Sequence, residues 1–381
     1  MTHSKPSEKF LTTLQTRYRR CNRKQRGQLL DEFVATSGYH RKYAITLLRG
    51  TATATVARVR RRRAPFYTVL DQRALRRLAA LFDQIGSRRL RVALDQTLPA
   101  LRANGFLKLS ADGYAHLERI SPATMDRLRV GDPQRIGQRR SLTKPGSLLK
   151  QQIPIRTFAD WNDKRPGFLE MDLVDHSGGL AAGDFAQTLN MTDVHSGWTE
   201  MRAVPNKAQK HVFAAIQTIR VRLPFKLAGI DSDNGAEFIN DQLLRYCRAE
   251  QLTFTRGRVG RKNDNAYVEQ KNWSVIRRLV GYDRYDSMAQ VKLINQLYES
   301  YRLYVNFFLP IVKLQRKIRE GSRTRKVYDA PQTPYVRLLA SDLPSTDEKQ
   351  KLRELYATLD VVDLKQTIDM LLRTLKPSLL R

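Results

Sequence analysis

The chain has 381 residues, a formal net charge of +31 and a sequence pI near 10.5. The length predicts roughly two to four domains, and the ordinary apolar content (41 %) argues against a globally disordered protein. The charge excess predicts a partner carrying phosphates, because each Lys or Arg laid on a nucleic-acid backbone releases a counterion. Two widely separated cysteines, Cys21 and Cys247, argue against a disulfide scaffold or a cysteine zinc site and fit the reduced thiols of a cytosolic protein. There is no apolar leader at the start and no apolar run near 18 residues, so no membrane span is expected.

In chain order, residues 1–64 are expected to form a helix–turn–helix DNA-binding domain with a basic arm. Phe10, Leu11, Leu14 and Tyr18, then Leu29, Leu30 and Phe33, recur at helical spacing. Gly38 suits a sharp turn, after which a second helix presents His40, Arg41 and Lys42 to DNA. The arm holds five arginines in six positions, among them Arg60, Arg61, Arg62 and Arg63, a pattern that follows a phosphate backbone or enters a minor groove. Residues 65–130 read as a second helical domain. In it Ser121 caps a helix opened by Pro122, which directs Thr124 and Arg127 outward as DNA contacts. Residues 131–159 form a basic linker rich in Pro, Gly and Gln.

At residue 160 the pattern changes to short strands. Strands are expected at 168–174, 186–192, 199–204, 225–231 and 252–255, with helices at 207–222, 237–250 and 265–281. Three strands followed by helix–strand–helix–strand–helix make a mixed α/β sheet, so 160–285 is the expected catalytic core. Residues 286–381 read as a mostly helical C-terminal region.

Three acids stand where this pattern presents them. Asp172 lies inside the first strand, and Asp233 falls at a strand end before Asn234-Gly235. Glu269 lies about one turn inside a helix capped by Asn263 or Asp264. A helix laid across the sheet edge brings Glu269 to both aspartates. Clustered carboxylates raise one another's pKa until a divalent ion arrives. Mg²⁺ prefers such oxygen donors, and two ions about 4 Å apart stabilise both the attacking and the leaving oxygen in phosphoryl transfer. Asp175 and Asp231 compete for the first two positions. Asn234, Asn265 and Asn272 are candidate supporting residues, and Lys262 and Lys271 candidate DNA contacts.

Asp172…Asp233-Asn-Gly…Glu269, with thirty-five residues between the last two acids, resembles the acidic triad of transposases of the retroviral-integrase type. The stretches Ser232-Asp233-Asn-Gly-Ala-Glu-Phe and Asn263-Asp-Asn-Ala-Tyr-Val-Glu269 resemble those of bacterial insertion-sequence transposases with an integrase core. The resemblance covers residues 160–285. It implies an RNase H-like fold, Mg²⁺ or Mn²⁺ with two ions per site, and a homodimer or larger assembly on double-stranded transposon ends and target DNA. It also implies a bacterial, cytoplasmic protein acting at the nucleoid. Its expected activity is 3′-end nicking and strand transfer; a silent regulator or a nuclease without joining activity are the alternatives. The chain departs from the retroviral pattern in lacking a His-His-Cys-Cys zinc module, and in carrying Trp273 and Ile276 where the catalytic helix of those integrases bears basic residues.

Overall fold

The computed structural model describes residues 7–50, 66–130, 165–180, 182–233, 235, 237–257, 266–321 and 323–376. The chain divides into two compact units, Met1–Phe66 and Tyr67–Arg381.

In the first unit, α1 (Glu8–Arg20), α2 (Arg23–Ser37) and α3 (Arg41–Arg49) close on Leu14, Tyr18, Leu29, Leu30, Phe33, Ala44 and Leu48. Asn22 begins α2 by accepting from the Gln25 amide, while the Gln25 side chain accepts from the Asn22 amide. Gly38 ends α2 at φ +69°, a backbone conformation open to glycine at little cost, and α3 starts three residues later. The sharp turn expected at Gly38 is therefore present.

The second unit opens with four helices: α4 (Val69–Leu81), α5 (Ser87–Ala103), α6 (Ala111–Arg119) and α7 (Pro122–Leu128). Ser121 caps α7 as expected, its hydroxyl accepting from the Thr124 amide. These helices share one continuous apolar core with the sheet and with the C-terminal helices. Leu75, Leu78, Leu90 and Leu94 of α4 and α5 are fully buried in it.

The five-stranded sheet has the order β3-β2-β1-β4-β5, formed by β1 (Phe168–Asp175), β2 (Gln187–Asp193), β3 (Thr199–Val204), β4 (Gly229–Ser232) and β5 (Thr253–Arg256). β1, β2 and β3 pair antiparallel, whereas β4 and β5 run parallel to β1. Those parallel pairings need crossovers, supplied by α8 (Gln209–Arg222) and α9 (Asp241–Ala249). Three antiparallel strands followed by parallel additions on the far side of β1 is the RNase H-like arrangement, so the core is α/β as expected. The strand expected at 225–231 is shorter than anticipated: only Gly229–Ser232 pairs, because Pro224 and the turn around it occupy the preceding stretch.

Beyond β5, α10 (Ala266–Lys271) runs through a π-helical segment, Asn272–Arg277, into α11 (Arg278–Val280). α12 (Met288–Phe307) packs against β3, and against α15 (Val361–Leu375). Together with α13 (Pro334–Ala340) and α14 (Thr346–Thr358) these helices confirm a mostly helical C-terminal region. It also contains an element the pattern did not suggest, a hairpin of β6 (Leu314–Glu320) and β7 (Arg323–Tyr328). Charged residues fill both faces of this hairpin, so it lacks the apolar alternation that marks a half-buried strand. Among the described residues no helix is long and apolar enough to cross a membrane.

Candidate active site

The register of the two central parallel strands sets the site. Met171 of β1 pairs with Ser232 of β4, so the next residue on each chain, Asp172 and Asp233, falls at neighbouring positions. Asp233 lies just past the carboxyl end of β4, and its Oδ1 accepts from the Gly235 amide at 2.9 Å, which turns the chain away from the sheet.

Helix α10 is fixed to β1 by side chains. Glu170 sits two residues before Asp172, on the same face of β1, and is fully buried. Its Oε2 accepts from the Val268 amide at 2.8 Å, one of the first-turn N–H groups that a helix cannot satisfy internally. A carboxylate there also faces the positive end of the helix dipole. Further along, Asn272 donates from Nδ2 to Asp172 Oδ2 at 2.6 Å. Asn190 of β2 donates to Asn272 Oδ1 at 2.7 Å, which orients that amide. Asp172 Oδ1 accepts from the Leu173 amide at 2.8 Å. Glu269 projects from the same helix into solvent, near enough for its charge to act on both Asp172 and Glu170.

The electrostatics follow from this crowding. Burial, then the charge of Asp233, pushes the Asp172 carboxyl up to about 8, against the opposing hydrogen bonds from Asn272 and Leu173. Asp233 reaches solvent yet is also raised, by partial desolvation in the crevice. Glu170 lies well above the usual carboxylate range through burial, with the charges of Asp231 and Glu269 adding to it. Glu237, nearby, is raised by burial and by Asp233. Such a set cannot all ionise without a counter-charge. The donor chemistry is hard oxygen and suits Mg²⁺ or Mn²⁺. The described residues contain no set of three His, Cys, Asp or Glu side chains already gathered as a metal cage.

The rival acids are engaged elsewhere. Asp175 pairs with Arg277 at 2.8 Å, and Asp231 is buried on β4 and accepts from the Thr255 hydroxyl. Asn272 stands beside Asp172, whereas Asn234, Asn265, Lys262 and Arg60–Arg63 fall outside the described residues. His40 caps α3 by accepting from the Lys42 amide, and Arg41 pairs with Asp31. Arg127 donates to the Thr124 hydroxyl at 2.9 Å. Lys271, expected on a DNA-facing surface, is instead nine-tenths buried, and burial with Arg89 and Arg337 nearby pushes its ammonium down to about 7. Glu170 and Asn190 are site residues that the sequence pattern does not single out. The one signal for Glu170 is its position on the strand face of Asp172.

The Integrase core domain family matches residues 162–262, a span that includes Asp172 and Asp233. The uncharacterized protein y4rM of Sinorhizobium fredii (strain NBRC 101917 / NGR234) is 41 % identical over 323 residues, covering 84 % of this chain and 91 % of that protein. Among solved structures, the catalytic core domain of BIV integrase aligns with 16 % identity and a TM-score of 0.30 over 45 % of this chain and 91 % of that one. The HTLV-2 integrase catalytic core domain, solved with magnesium in a dimeric form, aligns with 14 % identity and a TM-score of 0.29 over 38 % and 90 %. The chain belongs to the integrase-core family, the transposase and integrase type built on an RNase H-like sheet.

Proposed function

We propose that the chain is a DNA transposase that nicks the 3′ ends of its element and joins them to target DNA. What supports this reading most is that the charges of Asp233 and Glu269 both act on the buried carboxyl of Asp172, on a chain of net charge +31.

Asp172, Asp233 and Glu269 would hold two Mg²⁺ or Mn²⁺ ions, which supply charge stabilisation for the attacking and leaving oxygens of a phosphodiester. Asn272 keeps Asp172 in one rotamer by its 2.6 Å hydrogen bond, with Asn190 behind it. Glu170 ties the first turn of α10, the helix that carries Glu269, to β1. In the nicking step, water attacks the phosphorus and the 3′-oxygen leaves with the electron pair of the broken P–O bond. In joining, the freed 3′-hydroxyl attacks a target phosphodiester and displaces a second 3′-oxygen. Neither step needs a covalent protein–DNA bond. Element ends would be read by α3, through His40, Arg41 and Lys42, and by α7, through Thr124 and Arg127. The basic segments Arg60–Arg63 and Lys262 would lie on phosphates, and the protein would act as a homodimer or larger assembly in the bacterial cytoplasm, at the nucleoid.

The test combines a labelled element end, a supercoiled plasmid and Mg²⁺. Joined products are expected from the wild type. Asp233→Ala and Glu269→Gln should lose at least about 100-fold in joining, in line with removal of a principal electrostatic contribution, while DNA binding stays intact. Full joining by either variant would falsify the assignment. Cleavage without joining would favour a nuclease, and binding alone a regulator.

A further inference from the structure

Behind the catalytic helix lies a second cavity, of about 390 Å³. Its walls come from α5, from α10 and the π segment, from α12 and from the β6–β7 hairpin. None of Asp172, Asp233 and Glu269 lines it.

Its charge is one-sided. Arg89, Lys271, Arg278, Lys313, Lys317 and Lys326 contribute six basic groups, against the single acid Asp83. Asp83 is already paired with Lys365 at 2.9 Å, from outside the cavity wall. Lys271 forms the inner wall and is only 8 % exposed. Six basic side chains around one cavity favour an anionic occupant. Lys317 and Lys326 stand exposed at the mouth, on the two hairpin strands.

The rest of the lining is aromatic and apolar. Tyr267 and Tyr301 face the cavity with Val305 and Leu309, and Tyr328 stands at the rim. Lys313 already lies over the Tyr267 ring, 5.8 Å from its centre. Cationic groups beside aromatic faces suit a phosphate joined to a flat base, and the volume is that of a small-ligand site.

We propose that this cavity binds a nucleotide, its phosphate on Lys271 and the rim lysines and its base against the tyrosines. The nucleotide is either a free mononucleotide or one unstacked residue of a DNA strand. Because Tyr267 and Lys271 belong to the helix that carries Glu269, the occupant bears directly on the position of that helix. The inference does not depend on the metal chemistry, since binding can be measured in EDTA.

Calorimetric titration of the full chain in EDTA tests it with three probes: dAMP, a 5′-phosphorylated single-stranded hexathymidylate, and inorganic phosphate. One-to-one binding of dAMP or of the hexamer is expected. It should weaken at least about tenfold in Lys271→Met, the effect of removing one charge-assisted hydrogen bond. The double variant Lys317→Gln/Lys326→Gln changes only exposed side chains and should weaken binding several-fold while leaving the fold intact. dAMP binding that the hexamer cannot displace identifies a free nucleotide. Hexamer binding at least about tenfold tighter than dAMP, and weakened in both variants, identifies a DNA strand. The proposal is overturned if neither probe binds, if affinity is unchanged in both variants, or if inorganic phosphate binds as tightly as dAMP.

Discussion

Asp172 is the residue on which the electrostatics of the site concentrate. Its folded value of about 8 stands above the ordinary 3.8, so the folded, metal-free chain holds a proton that the unfolded chain releases. The folded state then binds more protons than the unfolded state between about pH 4 and 8, and stability falls as pH rises through that window. Asp172→Asn removes this penalty. In EDTA its melting temperature should exceed that of the wild type at pH 8 by at least roughly 2–4 °C, the shift that about 1 kcal/mol gives in a large domain, since each pKa unit is worth about 1.4 kcal/mol. At pH 4 the difference should nearly vanish. A difference independent of pH would show that Asp172 is not held protonated. At this scale the sequence is legible where the signal is local. Asp233 precedes a turn, and Glu269 lies one turn into a helix. Glu170 and Asn190 are not legible, because their partners Val268 and Asn272 lie 98 and 82 residues away. Nothing near Glu170 in the sequence reveals that a helix start will land on it. Lys271 illustrates the converse: its charge suggests a surface position, and packing against neighbouring helices buries it.

Among elements, the β6–β7 hairpin departs furthest from the sequence pattern and offers the clearest unassigned basic surface. Arg316, Lys317, Arg319, Arg325 and Lys326 are all exposed on it. A two-stranded ribbon fits the major groove of DNA, and its cations would contribute to affinity through counterion release. Replacing Arg316, Arg319 and Arg325 by Ala should reduce the slope of log affinity against log salt by about 0.9 for each phosphate that the variant no longer neutralises. Fluorescence anisotropy across a salt series reads this directly, and an unchanged slope would place the hairpin away from DNA. The five sheet strands, by contrast, are readable from short apolar runs between turn residues. The π segment at Asn272–Arg277 is not, since the sequence there reads as continuous helix. Its wider turn lies between Glu269 and Arg278, in the stretch that sends Asn272 to Asp172 and Ser274 and Val275 to the second cavity. Such segments are often found at functional sites.

At the scale of the whole molecule, a strongly basic chain is built around a small acidic crevice. The two belong together if the basic surface gathers DNA and the crevice acts on it. The RNase H-like sheet and family membership support a polynucleotidyl transferase core. The larger unit buries helices from before and after the sheet in one core, so the helix carrying Glu269 is braced on several sides. The central claim is that Asp172, Asp233 and Glu269 together hold divalent metal. Electron paramagnetic resonance of free Mn²⁺, titrated with protein at pH 8, measures it without DNA or turnover. Wild-type protein should deplete the free Mn²⁺ signal, and Asp172→Asn and Asp233→Asn should each weaken that depletion by at least about tenfold, the cost of losing one ionised ligand. Equal depletion by the wild type and both variants would contradict it.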